Sequence, residues 1–327
     1  MSEPRTYHNP VQRGFFPDPS VIRVGDDYYM VNSSFQYFPA IPISHSRDMV
    51  HWHIIGHAIT NPEWLDISDI RDSHGIWAPD IEYVDGKYYI YVTLRLNADG
   101  KRDNNVMRRQ LVMVSDKPEG PYSKPVCLEV DDIDPSLFVD DDGTPWMSWG
   151  NGTCFLVKLK PNMTELDGNI EILKMPKFVE GPWIHKRGNL YYLTYASMGK
   201  GRETISYATA PSMDGPWTYR GVLTGMAENS FTIHPGIIEF KGQNYLFYHN
   251  AILTIDSKSG ATGRRSVCID YLYYLPDGRM AYVEQTKEGI TVKPKTAAEV
   301  AEIVNPYTDE EEVVVEIVQN DTESRKN

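Results

Sequence analysis

Cysteine pairs, long apolar runs, basic charge and helical periodicity are all scarce in this 327-residue chain. Each scarcity excludes a class of protein. The three cysteines, Cys127, Cys154 and Cys268, are far apart and form no CxxC, so neither a disulfide framework nor a zinc site is expected. That usage fits a reducing compartment. Nowhere do eighteen apolar residues run together, and Met1 to His8 contain no apolar leader segment, so the sequence reads as that of a cytoplasmic protein without membrane partners. A net charge of −13 and a pI near 5.2 argue against nucleic acid, because phosphate binding needs clustered Lys and Arg. A neutral or cationic ligand suits the chain better. Amphipathic helical spacing is missing except near Thr296 to Ile303.

What remains is strand-like. The hydrophobic fraction of 41% supplies a sizeable core, and the 21 tyrosines suit strands as well as surfaces that stack on sugar rings. An X-Pro step opens a short apolar strand five times: Asp18-Pro19, Ala78-Pro79, Asp134-Pro135, Gly181-Pro182 and His234-Pro235. About ten residues after each comes an aromatic or apolar pair, such as Tyr28-Tyr29, Tyr88-Tyr89 or Tyr191-Tyr192. Repeats spaced 47 to 60 residues apart and filled with strands predict an all-β fold, a five-bladed β-propeller with four antiparallel strands per blade. The propeller is expected over residues 1–295, followed by a short acidic tail, 296–327. Within that tail, Val313 to Val318 reads as an edge strand, a contact in a homo-oligomer, or a loosely packed terminus. Polar loops at 61–74, 97–109 and 254–265 are expected to build rims.

In a propeller, equivalent positions of successive blades ring the central channel. Asp18 and Asp134 occupy equivalent corners, and Glu180 precedes the fourth corner by one residue, so three carboxylates are expected at one channel mouth. Asp before Pro is also ordinary turn chemistry, but three such acids in register argue for function. Converging carboxylates in an aromatic pocket suit glycoside hydrolysis, which needs one protonated and one ionised carboxyl. A third negative charge would help keep the acid protonated. Ala78, the small apolar corner, leaves room for a sugar ring under Trp77.

Taken in order, Tyr7-His8-Asn9-Pro10, Phe16-Pro17-Asp18-Pro19-Ser20, Trp77-Ala78-Pro79-Asp80, Asp132-Ile133-Asp134-Pro135-Ser136, Glu180-Gly181-Pro182 and Arg265-Ser266-Val267-Cys268 resemble glycoside hydrolase family 43 from residue 7 to about 285. The resemblance implies an inverting enzyme with Asp18 as general base, Glu180 as general acid and Asp134 orienting the acid and modulating its pKa. It also implies Arg265, rather than its neighbour Arg264, aimed at the first sugar, and Phe35 and Trp77 as apolar walls. His234 would face a divalent cation, calcium by analogy with similar members, on the propeller axis. Where many β-xylosidases of the family have His after Glu-Gly-Pro, this chain has Trp183. Longer members add a C-terminal β-sandwich, which is not expected within a chain of this length.

The expected activity is therefore an exo-acting β-1,4-xylosidase on xylo-oligosaccharides, with α-L-arabinofuranosidase activity on arabinosides as the alternative. A non-catalytic sugar-binding propeller and a retaining five-bladed fructosidase are the rival readings.

Overall fold

The computed structural model describes residues 7–65, 74–97, 106–253, 264–307 and 311–319. Five antiparallel sheets form the five blades of a propeller. Blade 1 is β1 (Ser20–Val24), β2 (Asp27–Val31), β3 (Ala40–Ser46) and β4 (His53–Ile59). Blade 2 is β5 (Gly75–Val84), β6 (Lys87–Asn97), β7 (Val106–Ser115) and β8 (Val126–Leu128). Blade 3 holds β9 (Ser136–Val139), β10 (Pro145–Trp149), β11 (Cys154–Leu159) and β12 (Leu166–Leu173), and blade 4 holds β13 (Phe178–Arg187), β14 (Leu190–Met198), β15 (Glu203–Ala210) and β16 (Thr218–Thr224). Blade 5 is β17 (Gly236–Phe240), β18 (Gln243–Asn250) and β19 (Ser266–Leu272).

The first strand of each blade is innermost: β1 lies against β5 and β17, and β9 lies against β5 and β13. Tight turns return the chain to the second strand. In blade 2 the turn residues Asp85 and Gly86 both have positive φ, 49° and 81°, the left-handed pair whose twist matches that of antiparallel strands. Five apolar layers fill the gaps between neighbouring blades. Ile43, Ile81 and Ile90 join blades 1 and 2, Tyr91 and Trp149 join 2 and 3, and Leu156 and Tyr195 join 3 and 4. Tyr207 and Leu246 join blades 4 and 5, and Tyr28 and Phe247 close the ring between 5 and 1. Blades are thus covered on both faces, which is why β15 is buried at every position and shows no polar alternation.

Four consecutive strands build each of blades 1 to 4, as expected, and blade 5 has three. In blade 5 the outer edge of β19 is occupied by the N-terminal residues Val11 and Gln12, which hydrogen-bond through the backbone to Val267. Residues 273–283 instead turn through Pro276 and Gly278, with a single bridge between Tyr274 and Met280. Blades 3 and 4 have five strands, because β20 (Val313–Val314) pairs with β16 and β21 (Ile317–Gln319) pairs with β12. The apolar tail run is therefore edge-strand material, and the buried Val315 between its two strands packs into the layer joining blades 3 and 4. The helical spacing near Thr296 is realised as α1 (Ala297–Ala301), capped reciprocally by Thr296 and Glu299. The central parts of the three polar loops, 66–73, 98–105 and 254–263, lie outside the described residues. Among the described residues no helix is long and apolar enough to cross a membrane.

Candidate active site

The X-Pro corners are where the innermost strands leave regular pairing. Proline has no N–H to give to a ladder, and the register of β5 against β6 slips between Trp77 and Asp80, that of β13 against β14 between Glu180 and Trp183. Four corner residues take left-handed backbone conformations: Asp18 at φ 53°, Ala78 at 40°, Asp134 at 61° and Gly181 at 60°. A residue that precedes proline rarely sits there. Each is held by an acceptor on the preceding blade. The Asp18 N–H donates to His249 Nδ1 (3.1 Å), that of Ala78 to Ser33 Oγ (2.6 Å), that of Asp134 to Thr93 Oγ1 (2.9 Å) and that of Gly181 to Asp134 Oδ2 (3.0 Å). The chain of contacts locks blade to blade and aims the corner side chains into the channel mouth. Gly181 is required twice over, since a Cβ there would also lie 2.9 Å from the His234 ring.

All seven site residues expected from the sequence, Asp18, Phe35, Trp77, Asp134, Glu180, His234 and Arg265, line one pocket of about 380 Å³. Ala78 lines it too. Trp183 does not: its side chain packs in the apolar layer between blades 4 and 5, so the departure from the commoner histidine leaves the pocket lining unaltered.

Asp18 is buried and fully engaged. Its Oδ2 accepts from Ser33 Oγ at 2.5 Å and its Oδ1 from Arg265 Nη1 at 3.1 Å. Burial alone would raise its pKa, but the Arg265 guanidinium, helped by the Ser33 hydroxyl, outweighs burial and holds it at about 2. His249 Nδ1 also lies 3.4 Å from Asp18 Oδ1, yet this is no ion pair. That nitrogen already accepts the Asp18 N–H, so the proton sits on Nε2 and donates to the Thr232 carbonyl at 2.9 Å. Burial, reinforced by Arg265, keeps the ring neutral, with a pKa of about 3.

Glu180 behaves oppositely. Burial first, then the Asp18 charge, push its pKa up to about 7, against Arg265 and an Asn151 Nδ2 hydrogen bond of 3.2 Å. Among the described residues no ion pair reaches Asp134, and burial together with the charges of Glu180, Asp18 and Glu203 drives it well above the usual carboxylate range. Four acids therefore share one small region with one guanidinium on Asp18. At neutral pH the charge collects on Asp18, and the others are biased toward the protonated form.

The walls are aromatic. Phe35 lies under the Arg265 guanidinium, 5.2 Å from its carbon to the ring centre, and 6.1 Å from Trp77. The other pocket arginine, Arg95, stacks on Trp77 at 4.4 Å. His234 lies against Gly181 with its pKa lowered by burial. Among the described residues no three His, Cys, Asp or Glu side chains gather as a metal site. A calcium ion takes six to eight oxygen ligands, so the side chains around His234 do not by themselves fit one.

No pattern in the sequence singles out His249, Ser33, Thr232, Asn151, Glu203, Arg95 or the exposed rim residue Phe231. His249 lies near the end of β18, after the apolar run Tyr245 to Tyr248, where a lone histidine reads as core. Ser33 was accessible in principle, since its hydroxyl sits one blade before the Ala78 corner and the repeat places it there.

Three comparisons with known proteins bear on this geometry. The model of Glycosyl hydrolases family 43 matches residues 7–280. A xylan 1,3-beta-xylosidase of a Vibrio species is 35% identical over 233 residues, 65% of this chain and 42% of that protein. A non-reducing end alpha-L-arabinofuranosidase of Bacteroides ovatus is 36% identical over 241 residues, 71% of this chain and 44% of that one. The crystal structure of a family 43 protein from Bacillus licheniformis superposes with a TM-score of 0.72 at 39% identity, covering 88% of this chain and 60% of that chain. This chain thus spans less than half the length of the two curated relatives.

Proposed function

This chain belongs to glycosyl hydrolases family 43, and on that premise we propose that it is an exo-acting, inverting β-1,4-xylosidase that removes terminal xylose from short xylo-oligosaccharides. The observation that carries the reading is the division of ionisation between two carboxyls in one pocket: Asp18 is held at about 2 and Glu180 at about 7. At neutral pH one is a carboxylate able to take a proton from water, and the other keeps a proton for the leaving oxygen. Asp134 accepts the Gly181 N–H and thereby fixes the peptide that follows Glu180, which suits a residue that orients the acid. In the same reading Arg265 holds Asp18 ionised, Phe35 and Trp77 face the sugar ring, and the other pocket wall is Phe231, Thr232 and His234.

A second reading, α-L-arabinofuranosidase activity alone or alongside, is favoured by the 36% identity to the Bacteroides ovatus arabinofuranosidase. Rates on the p-nitrophenyl xyloside and arabinofuranoside, with the product anomer followed by NMR, separate the readings. Faster xyloside cleavage with inversion is expected. A retained anomer would remove the assignment of Asp18 as base, and a much faster arabinoside rate would reverse the order of substrates.

A divalent cation beside His234 is a further proposal, in which water would have to supply nearly all the ligands. No step above passes through it. One bound equivalent in elemental analysis of the purified protein, with a melting temperature lowered by chelation, is the expected result; absence of both retires the cation.

A further inference from the structure

Glu203, the first residue of β15, is 1% exposed and stands behind the pocket wall. Two of its groups hold one neighbouring segment: its N–H donates to the Phe231 carbonyl at 3.0 Å, and its Oε2 accepts the Ile233 N–H at 3.1 Å. Between those two clamped peptides lies Thr232. The Thr232 hydroxyl accepts from Arg265 Nη1 at 2.9 Å, and its carbonyl accepts from His249 Nε2 at 2.9 Å. Both partners then reach Asp18, Arg265 through the carboxylate and His249 through the backbone N–H. Two hydrogen-bonded routes therefore run from Glu203 to Asp18, and both pass through Thr232. The clamped segment ends on His234, whose ring rests on the glycine next to Glu180.

We propose that Glu203 is a positioning residue: through the Ile233 peptide it fixes Thr232 against Arg265, and so sets the placement and ionisation of Asp18. The inference rests on the reading of Asp18 as the base. Glu203 Oε1 is buried and has no hydrogen-bond partner among the described residues, a poor setting for a charge. Burial, and next the charge of Glu180, raise its pKa to about 9, with Asp18 adding to the rise and Arg265 opposing it. The Glu203 charge in turn raises the pKa of Asp134. Glu203 is therefore a neutral carboxyl whose work is hydrogen bonding, and a glutamine amide is its near isostere.

The test is a pH profile of kcat/KM for Glu203→Gln and Glu203→Ala, with Asp18→Ala as control and rates corrected for folded fraction by circular dichroism. Glu203→Gln should stay within about threefold of wild type, since an amide oxygen can accept the Ile233 N–H. Glu203→Ala should lose on the order of 10²-fold, chiefly in kcat, from misplacement of the site. Its acidic limb should also move. With Arg265 loosened, the Asp18 pKa rises from about 2, so the acidic limb of the variant should lie at higher pH than that of wild type. Thr232→Val, which removes the Arg265 contact without touching Glu203, should shift the same limb and serves if Glu203→Ala does not fold. An unmoved limb in both variants, or equal losses for Glu203→Gln and Glu203→Ala, overturns the proposal. Full activity in Asp18→Ala would instead overturn the assignment of the base.

Discussion

Glu180→Gln is expected to lower kcat/KM on a xylo-oligosaccharide by about 10²- to 10⁴-fold, the usual contribution of a positioned general acid. The loss should depend on the leaving group. A xylosyl leaving group needs a proton as the bond breaks, whereas an activated phenolate departs with little help, so the deficit on a nitrophenyl glycoside should be much smaller. The pH profile gives an independent check. Burial and the Asp18 charge set the Glu180 pKa at about 7, and only the protonated form can donate. Wild-type kcat/KM should therefore fall as pH rises through about 7, and this basic limb should vanish in Glu180→Gln, whose amide does not titrate. Equal losses on both substrates, or a basic limb that persists, would show that the proton comes from elsewhere.

Much of this was legible in the chain because propeller geometry turns sequence period into spatial proximity. The X-Pro steps mark places where the innermost strand must break pairing, and the structure puts the residues at or beside all five steps on one channel mouth. The acids could be recognised because Asp18 and Asp134 share a corner position and Glu180 sits one residue before another. Their electrostatic division could not. Asp18 differs from Asp134 because Arg265, 247 positions away, lies against one carboxylate and not the other. Nothing local to either Asp-Pro-Ser motif carries that information. His249 and Glu203 were hidden for a related reason: each lies in a strand buried on both faces, where a polar residue shows its purpose only through a distant partner. That blade 5 has three strands was hidden too, because closure of the ring gives the outer edge of β19 to the opposite end of the chain. Long-range pairing, not propensity, decided it.

Asp18→Asn tests the other half of the division and carries the second large effect. Asparagine tolerates the left-handed backbone at φ 53° better than most residues, so the corner should survive where a branched side chain would strain it. The amide cannot take a proton from water, and kcat is expected to drop by about 10³-fold or more, whatever the leaving group, because attack by water is impaired for all substrates alike. That pattern is the reverse of the one expected for Glu180→Gln. A second consequence follows from the same contacts. Although burial is the larger cause, the Asp18 charge also raises the Glu180 pKa, and Arg265 lowers it. Removing the Asp18 charge leaves Arg265 without the carboxylate it now neutralises, so both changes push Glu180 down. The basic limb of the residual activity should then lie below about pH 7, and the same displacement should appear in a carboxyl-carbon NMR titration of the variant. A Glu180 titration that stays at its wild-type position would mean that the two carboxyls do not sense each other, and the paired acid and base reading would fail with it.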